Sequence, residues 1–315
     1  MKGKSMKKFN RILVCLLTVA LILGLAGAVM TPSAAHAAPA AVNLGTASPF
    51  AILAGTPGIT DAANASQVTG NVGLSPATGA GIGLLCSQVT GTIYSVDAAG
   101  PLPCRVTDGP LLVTAKNDLT AAFIDLQGRA VTQTVATELG GQTLTPEVYG
   151  SNSTTFQITA GAGPLVLDGL NDPSSVFIFE MNFDGTGLTV GPASVVSLVN
   201  GASACNVFWR VNTASIDTTA VFKGNILALT SITVNNGASI EGRLLARNGT
   251  VTLINDTITV GPCATSPSTS PSTSALPTTG TPSEKNTPWN IIILSGIGIF
   301  AVLILFYFTR RKQTN

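Results

Sequence analysis

The sequence is short of charge, of aromatic rings and above all of histidine. Of 315 residues, 10% are charged, 5% are aromatic and one, His36, is a histidine. His36 sits in a segment that reads as a removable leader, so the exported chain has none. That excludes serine–histidine and cysteine–histidine nucleophilic sites and histidine-ligated metal centres. Basic residues are scarce too: residues 38–279 hold seven against 14 acidic ones, a net charge of −7. A nucleic-acid partner needs the opposite sign, and such a domain has no electrostatic grip on anionic wall polymers. The carboxylates Asp61, Asp168, Asp172 and Asp184 mostly stand beside glycine, proline or asparagine, which is a turn setting. No enzyme activity, cofactor or metal is therefore expected.

The two ends carry addresses. Lys2, Lys4, Lys7, Lys8 and Arg11 precede an apolar run from Ile12 to about Met30, and Ala35-His36-Ala37 supplies small residues for cleavage after Ala37. Residues 1–37 thus read as a signal peptide. At the other end, Leu276-Pro277-Thr278-Thr279-Gly280 is followed by an apolar run over 291–308 and then by Arg310, Arg311 and Lys312. The run matches the ~18–20 residues that cross a bilayer, and the basic cluster belongs on the cytoplasmic side. The order resembles a Gram-positive sortase sorting signal of the LPxTG type. By that resemblance, sortase cuts between Thr279 and Gly280 and joins Thr279 to peptidoglycan. The sorting signal then spans 276–315, and the Ser/Thr/Pro stretch 264–275 is an extended spacer. The implied location is outside the cell: wall-anchored, and membrane-anchored before cleavage.

Between these ends, residues 38–263 keep four cysteines: Cys86, Cys104, Cys205 and Cys263. An even count in an exported chain suggests disulfides. Three pairings are possible, and the nearest in sequence, Cys86–Cys104 with Cys205–Cys263, is favoured. The absence of Cys-x-x-Cys spacing argues against zinc.

One helix stands out, over about 110–127. Asp108 or Gly109 caps it, Pro110 lies in its first turn and Gly128 stops it. Leu112, Ala115, Leu119, Ala122, Phe123 and Leu126 recur at spacings of three and four, which makes one apolar stripe. The rest reads as short strands. From Asn206, Asn225 and Arg243 the sequence repeats every 18–19 residues with three strands per copy. This is the period of a solenoid whose coils bury apolar side chains by stacking. The first strands of each copy are apolar on both faces, as strands lying between an interior and a helix must be.

The second strands place hydroxyls in files. With Ile216, Val234 and Leu253 turned inward, Thr213, Ser231 and Thr250 share one outward file. Ser215, Thr233 and Thr252 share another, and Thr189 joins from the coil before. Residues i and i+2 lie about 6.7 Å apart on one face, and coils stack about 4.8 Å apart. The result is an uncharged grid of hydroxyls and methyls, suited to a large ordered surface such as ice and preformed before contact. Third strands are mixed: Ser239 and Thr257 point outward, but so do Val221, Lys223 and Glu241.

Residues 43–263 resemble the bacterial and fungal ice-binding protein family. The likeness runs through "NLGTASPFAILAGTPGIT" (43–60), "TGNVGLSP" (69–76), "LGGQTLTPEVY" (139–149), "LVLDGLNDPSSVFIF" (165–179), "ACNVFWRV" (204–211), "FKGNILA" (222–228) and "GRLLARNGTVTL" (242–253). The resemblance implies a mainly β fold: a right-handed discontinuous three-faced β-solenoid with one long helix alongside and a capping insertion over about 77–107. It also implies an ice crystal surface as partner; no nucleic acid is expected from the acidic charge, and the chain is expected to be a monomer. In active relatives, threonine-glycine-x-threonine-like stretches sit near the corner after the second strand. Here those places read "TTAV" (218–221), "NGAS" (236–239) and "NDT" (255–257), so Thr218, Ser239 and Thr257 join the candidate contact residues. The rival readings are a wall adhesion or structural module on the same scaffold, and a carbohydrate-active enzyme. The enzyme would need a carboxylate cluster sharing one face with Arg210, Lys223 or Arg243.

Overall fold

The computed structural model describes residues 38–181, 187–261 and 263. The leader, the spacer, the sorting signal and the apolar run at 291–308 lie outside the described residues. Among the described residues no helix is long and apolar enough to cross a membrane.

Seven strands precede the helix: β1 (Phe50–Ala54), β2 (Ile59–Asp61), β3 (Gln67–Thr69), β4 (Asn71–Leu74), β5 (Val89–Thr90), β6 (Ile93–Ser95) and β7 (Arg105–Thr107). Helix α1 (Gly109–Gly128) follows. After it come β8 (Gln133–Val135), β9 (Thr143–Leu144), β10 (Val148–Ser151), β11 (Thr155–Ile158), β12 (Leu165–Asp168), β13 (Phe177–Glu180), β14 (Gly187–Val190) and β15 (Val196–Val199). The last coils contain β16 (Val207–Val211), β17 (Ala214–Ile216), β18 (Val221–Ala228), β19 (Ile232–Val234), β20 (Ser239–Ala246), β21 (Val251–Leu253) and β22 (Thr257–Thr259).

All these strands pair in parallel, and they form three faces. The first face runs β7-β6-β4-β1-β20-β18-β16-β13-β10-β8, and the second runs β11-β14-β17-β19-β21-β2. The third consists of β9, β12 and β15 at one end and, further along, the leading halves of β18 and β20 with β22, β3 and β5. The stack is discontinuous in sequence. β1, β2 and β3 lie directly on β20, β21 and β22, so the first coil of the domain packs on its last. Residues 77–107 carry the stack outward, because β6 pairs with β4 and β5 with β3.

Strands one and three of successive copies are not separate here. β18 and β20 each run for eight residues through a corner. The bend falls at Gly224 and Gly242, with φ of +118° and +145°. A Cβ at Gly242 would overlap the Gly224 carbonyl oxygen, so glycine lets the chain turn without breaking its pairing.

Helix α1 begins as its sequence requires: the Asp108 carboxylate accepts from the Leu111 N–H at 3.0 Å, which satisfies an otherwise orphaned donor. Its buried residues are Leu112, Ala115, Leu119, Ala122, Phe123 and Leu126. They meet Phe50, Leu53, Val148, Ile178, Phe208, Leu227 and Leu245 from the outer side of the first face. The inner side of the same strands fills the solenoid, where Trp209 stacks on Phe179 with ring centroids 3.8 Å apart.

Two disulfides form, Cys86–Cys104 and Cys205–Cys263, each with a Cα separation of 5.5 Å. Around the second, the buried Arg243 donates from Nε to the Ser48 carbonyl and from Nη1 to Asn225 Oδ1, both at 2.7 Å. Asn225 Nδ2 in turn donates to the carbonyls of Ala204, Cys205 and Val207. This buried network fastens the end of the last coil to two earlier coils and to the N-terminal segment.

A candidate surface-binding face

The second face is built from triplets that alternate inward and outward. Phe156 and Ile158, Leu188 and Val190, Ala214 and Ile216, Ile232 and Val234, and Val251 and Leu253 are buried, while the residue between each pair reaches the surface. Period-two alternation with small β-branched or hydroxyl residues outside produces this arrangement. The outward residues are in exact register: Gln157, Thr189, Ser215, Thr233, Thr252 and Thr60 pair in succession. Six positions at strand spacing span about 24 Å, and none of the six side chains is charged.

The sequence-predicted residues divide between two surfaces. Thr189, Ser215, Thr233 and Thr252 occupy the central file. Thr213, Ser231 and Thr250 stand one step before the strands and are linked from coil to coil, since Ala214 N–H donates to the Ser231 carbonyl and Ile232 N–H to that of Thr250. Thr218 is not in either file. It lies in the corner turn, where its hydroxyl donates to Asp217 Oδ1 at 2.9 Å. Ser239 and Thr257 pair with each other on the third face, in line with Val221 and Gln67. An ion pair between Lys223 and Glu241 interrupts that surface. The second-strand grid therefore lies on one surface and Ser239 and Thr257 on another, because the corner turns separate the second strands from the third.

Thr60 was missed. It comes from the N-terminal part, about 190 residues before its neighbour Thr252, and its triplet Ile59-Thr60-Asp61 ends in a carboxylate instead of an apolar residue. Asp61 does open an exposed turn, its carbonyl accepting the Asn64 N–H, but its side chain turns inward. It is 7% exposed, and it accepts from the Ser66 N–H and hydroxyl and from Gln88 Nε2.

Asp61 shares this corner with Asp256, which is 1% exposed. Asp256 accepts from the N–H groups of Ala238 and Ile254. Burial pushes its carboxyl up to about 6, and the Asp61 charge adds to this, while those N–H bonds oppose it. A raised carboxyl pKa means that the folded chain holds the proton more tightly. The contribution to stability is complete below the ordinary value near 3.8 and is lost as pH rises through 6. It amounts to at most about 3 kcal/mol. Asp256→Asn is expected to cost a pH-independent amount, through one lost acceptor, and to remove this slope. Denaturant titrations of both proteins from pH 4 to 7 check it. Wild type should lose stability relative to the variant across the range, and parallel curves would refute the assignment.

An enzyme reading asked for a carboxylate cluster beside Arg210, Lys223 or Arg243; among the described residues Arg210 and Lys223 each pair with a single carboxylate, and Arg243 bonds to a carbonyl and an amide oxygen. Arg210 is buried against Glu180 at 3.3 Å with Phe123 of the helix under its guanidinium. Lys223 is on the third face and Arg243 is inside the disulfide network. Burial raises the Glu180 carboxyl to about 7, with Arg210 opposing. Among the described residues no three histidine, cysteine, aspartate or glutamate side chains gather to hold a metal ion.

Comparison with known proteins gives one consistent result. Residues 52–259 match the model of the family described as ice-binding-like. The chain is 42% identical over 223 residues to an ice-binding protein of Flavobacterium frigoris, covering 70% of this chain and 76% of that one. It is 40% identical over 236 residues to an ice-binding protein of a Colwellia species, covering 74% and 88%. Among solved structures, it resembles an ice-binding protein from an Antarctic biological consortium with a TM-score of 0.59 at 33% identity, covering 71% of this chain and 92% of that one. It also resembles a domain of Shewanella frigidimarina ice-binding protein 1, with a TM-score of 0.62 at 28% identity, covering 72% and 100%.

Proposed function

Because the chain belongs to the ice-binding-like family, we propose that it is an antifreeze-type protein that adsorbs to ice through its second face, carried on the outside of the cell. The observation that supports this contact is the in-register file Thr60–Thr252–Thr233–Ser215–Thr189. Its methyls and hydroxyls repeat at strand spacing on a rigid stack. Water ordered on them needs no counter-charge, and the entropy of ordering the side chains is lost on folding instead of on contact. Molecules fixed to an ice front force it to curve between them, which slows growth and recrystallisation. No cofactor or metal enters this mechanism.

The contact is tested by thermal hysteresis and ice recrystallisation inhibition of the exported chain. Activity no greater than that of an inert protein at equal concentration would remove the reading. The location rests on the sequence of both ends, with the leader directing export and the Leu276–Gly280 motif, apolar run and basic tail directing sortase attachment to peptidoglycan. In a Gram-positive host, wall-digesting enzymes are expected to release the wild-type chain. A Pro277→Ala, Thr279→Ala variant is expected to shift to the membrane and medium. Identical distribution of the two would rule out sorting.

A further inference from the structure

Two positions beyond the central file, five of the six coils carry an uncharged residue, Thr159, Gly191, Asn235, Ile254 or Ala62, and one carries a carboxylate. Two positions beyond Ser215 stands Asp217, and two beyond Thr233 stands Asn235, whose Nδ2 reaches Asp217 Oδ1 at 3.3 Å. Asp217 begins the corner turn, in which Ala220 N–H donates back to its carbonyl. Its side chain is half-buried, and Oδ1 also accepts the Thr218 N–H at 2.7 Å and the Thr218 hydroxyl at 2.9 Å. Oδ2 has no hydrogen bond among the described residues. The three ion pairs among those residues join Arg129 to Asp125, Arg210 to Glu180 and Lys223 to Glu241, so Asp217 has no cation. The Thr218 N–H and hydroxyl hold its carboxyl below the usual range, and it stays ionised at neutral pH. Of the other carboxylates near this face, Asp61 and Asp256 are buried. Glu138, beyond Gln157 at the far end, is bonded to the N–H groups of Gly140 and Thr159 and to the Thr159 hydroxyl.

We infer that Asp217 sets the edge of the ice contact and limits its strength, its carboxylate confining adsorption to the strand files and keeping the adjoining corner on the liquid side. The inference rests on the second face being the contact. Ice excludes ions from its lattice, and stripping water from an unpaired carboxylate is costly. A fixed anion two residues from Ser215 therefore holds its own hydration shell against an ordered water layer. Asn235 and the corner hydroxyls Thr218 and Thr219 are uncharged and chemically compatible with that layer, so the charge alone marks the boundary.

The test is Asp217→Asn, which keeps the shape and one oxygen for the Thr218 and Asn235 donors while removing the charge. Its recrystallisation-inhibition endpoint is expected at a concentration at least two-fold lower than that of wild type, with a higher hysteresis at equal concentration. Asp217→Glu, which keeps the charge, is expected not to exceed wild type. If the asparagine variant melts as wild type does but is no more active, or if the glutamate variant gains equally, the inference is overturned. Should the asparagine variant fail to fold, Asp217→Ser removes the same charge while leaving an acceptor for the turn, and it is read by the same criteria. Failure of the underlying reading is distinguishable, because wild type itself would then show no activity before any substitution.

Discussion

Replacing Thr233 and Thr252 together by tyrosine is expected to reduce recrystallisation inhibition and hysteresis at least ten-fold while leaving the fold intact. Both residues are central in the second face, directly paired with each other and flanked by Ser215 on one side and Thr60 on the other. Tyrosine suits exposed strand positions, and the buried neighbours Ile232, Val234, Val251 and Leu253 are untouched, so stability should change by less than about 1 kcal/mol. Two phenols standing side by side would hold an ice plane away from the remaining hydroxyls, and a rigid contact cannot bend around them. The matching substitution on the third face, Ser239→Tyr with Thr257→Tyr, separates the two surfaces, since those residues also lie side by side. Loss of activity from the third-face pair with none from Thr233 and Thr252 would move the contact to that face and withdraw the assignment made here. Circular dichroism and melting curves of each variant accompany the ice assays.

What the sequence disclosed of this molecule follows the range of its interactions. The helix was legible because its cap, first-turn proline and apolar stripe all lie within about 20 residues, and the observed burial falls on the same six side chains. The last coils were legible because they repeat and pair with their immediate neighbours, which brings Ser215, Thr233 and Thr252 into line through adjacent copies. Thr60 was not legible. Its partner is set by the return of the chain after the whole helical and C-terminal excursion, and no period links residue 60 to residue 252. The separation of second from third faces was legible in the three strands per copy and in the three faces that the resemblance implied, but alternation by itself does not give it. Alternation states only that Thr252 and Thr257 both point outward, whereas the corner between them, with Asn255 at a φ of +56°, turns them onto different surfaces. The buried role of Asp61 was hidden as well, because its partners are a loop residue, Ser66, and the end of a single 3-10 turn, Gln88, neither with a pattern of its own.

Trp209→Ala is expected to cost about 3–5 kcal/mol, a large share of the ~5–15 kcal/mol that stabilises a typical domain, and to lower the melting temperature by roughly 10 °C. Trp209 is fully buried in β16, between β13 and β18. Its indole lies flat on Phe179, meets Phe156 edge-on at 6.3 Å and tilts against Phe222 at 5.4 Å. Its Nε1 donates to the Lys223 carbonyl at 3.3 Å. These contacts join all three faces: Phe179 belongs to the first, Phe156 to the second and Phe222 to the third. Removing the ring opens a cavity at the point where the faces are braced against one another. Ice affinity is then expected to fall even well below the melting temperature, because the second face acts through the fixed positions of its hydroxyls and loosened coils must be ordered again on contact. Trp209→Phe keeps most of the stack and is expected to lose under half as much stability. A Trp209→Ala protein that melts lower yet inhibits recrystallisation as wild type does would show that the face is held flat by its own strand pairing alone, without the aromatic brace beneath it.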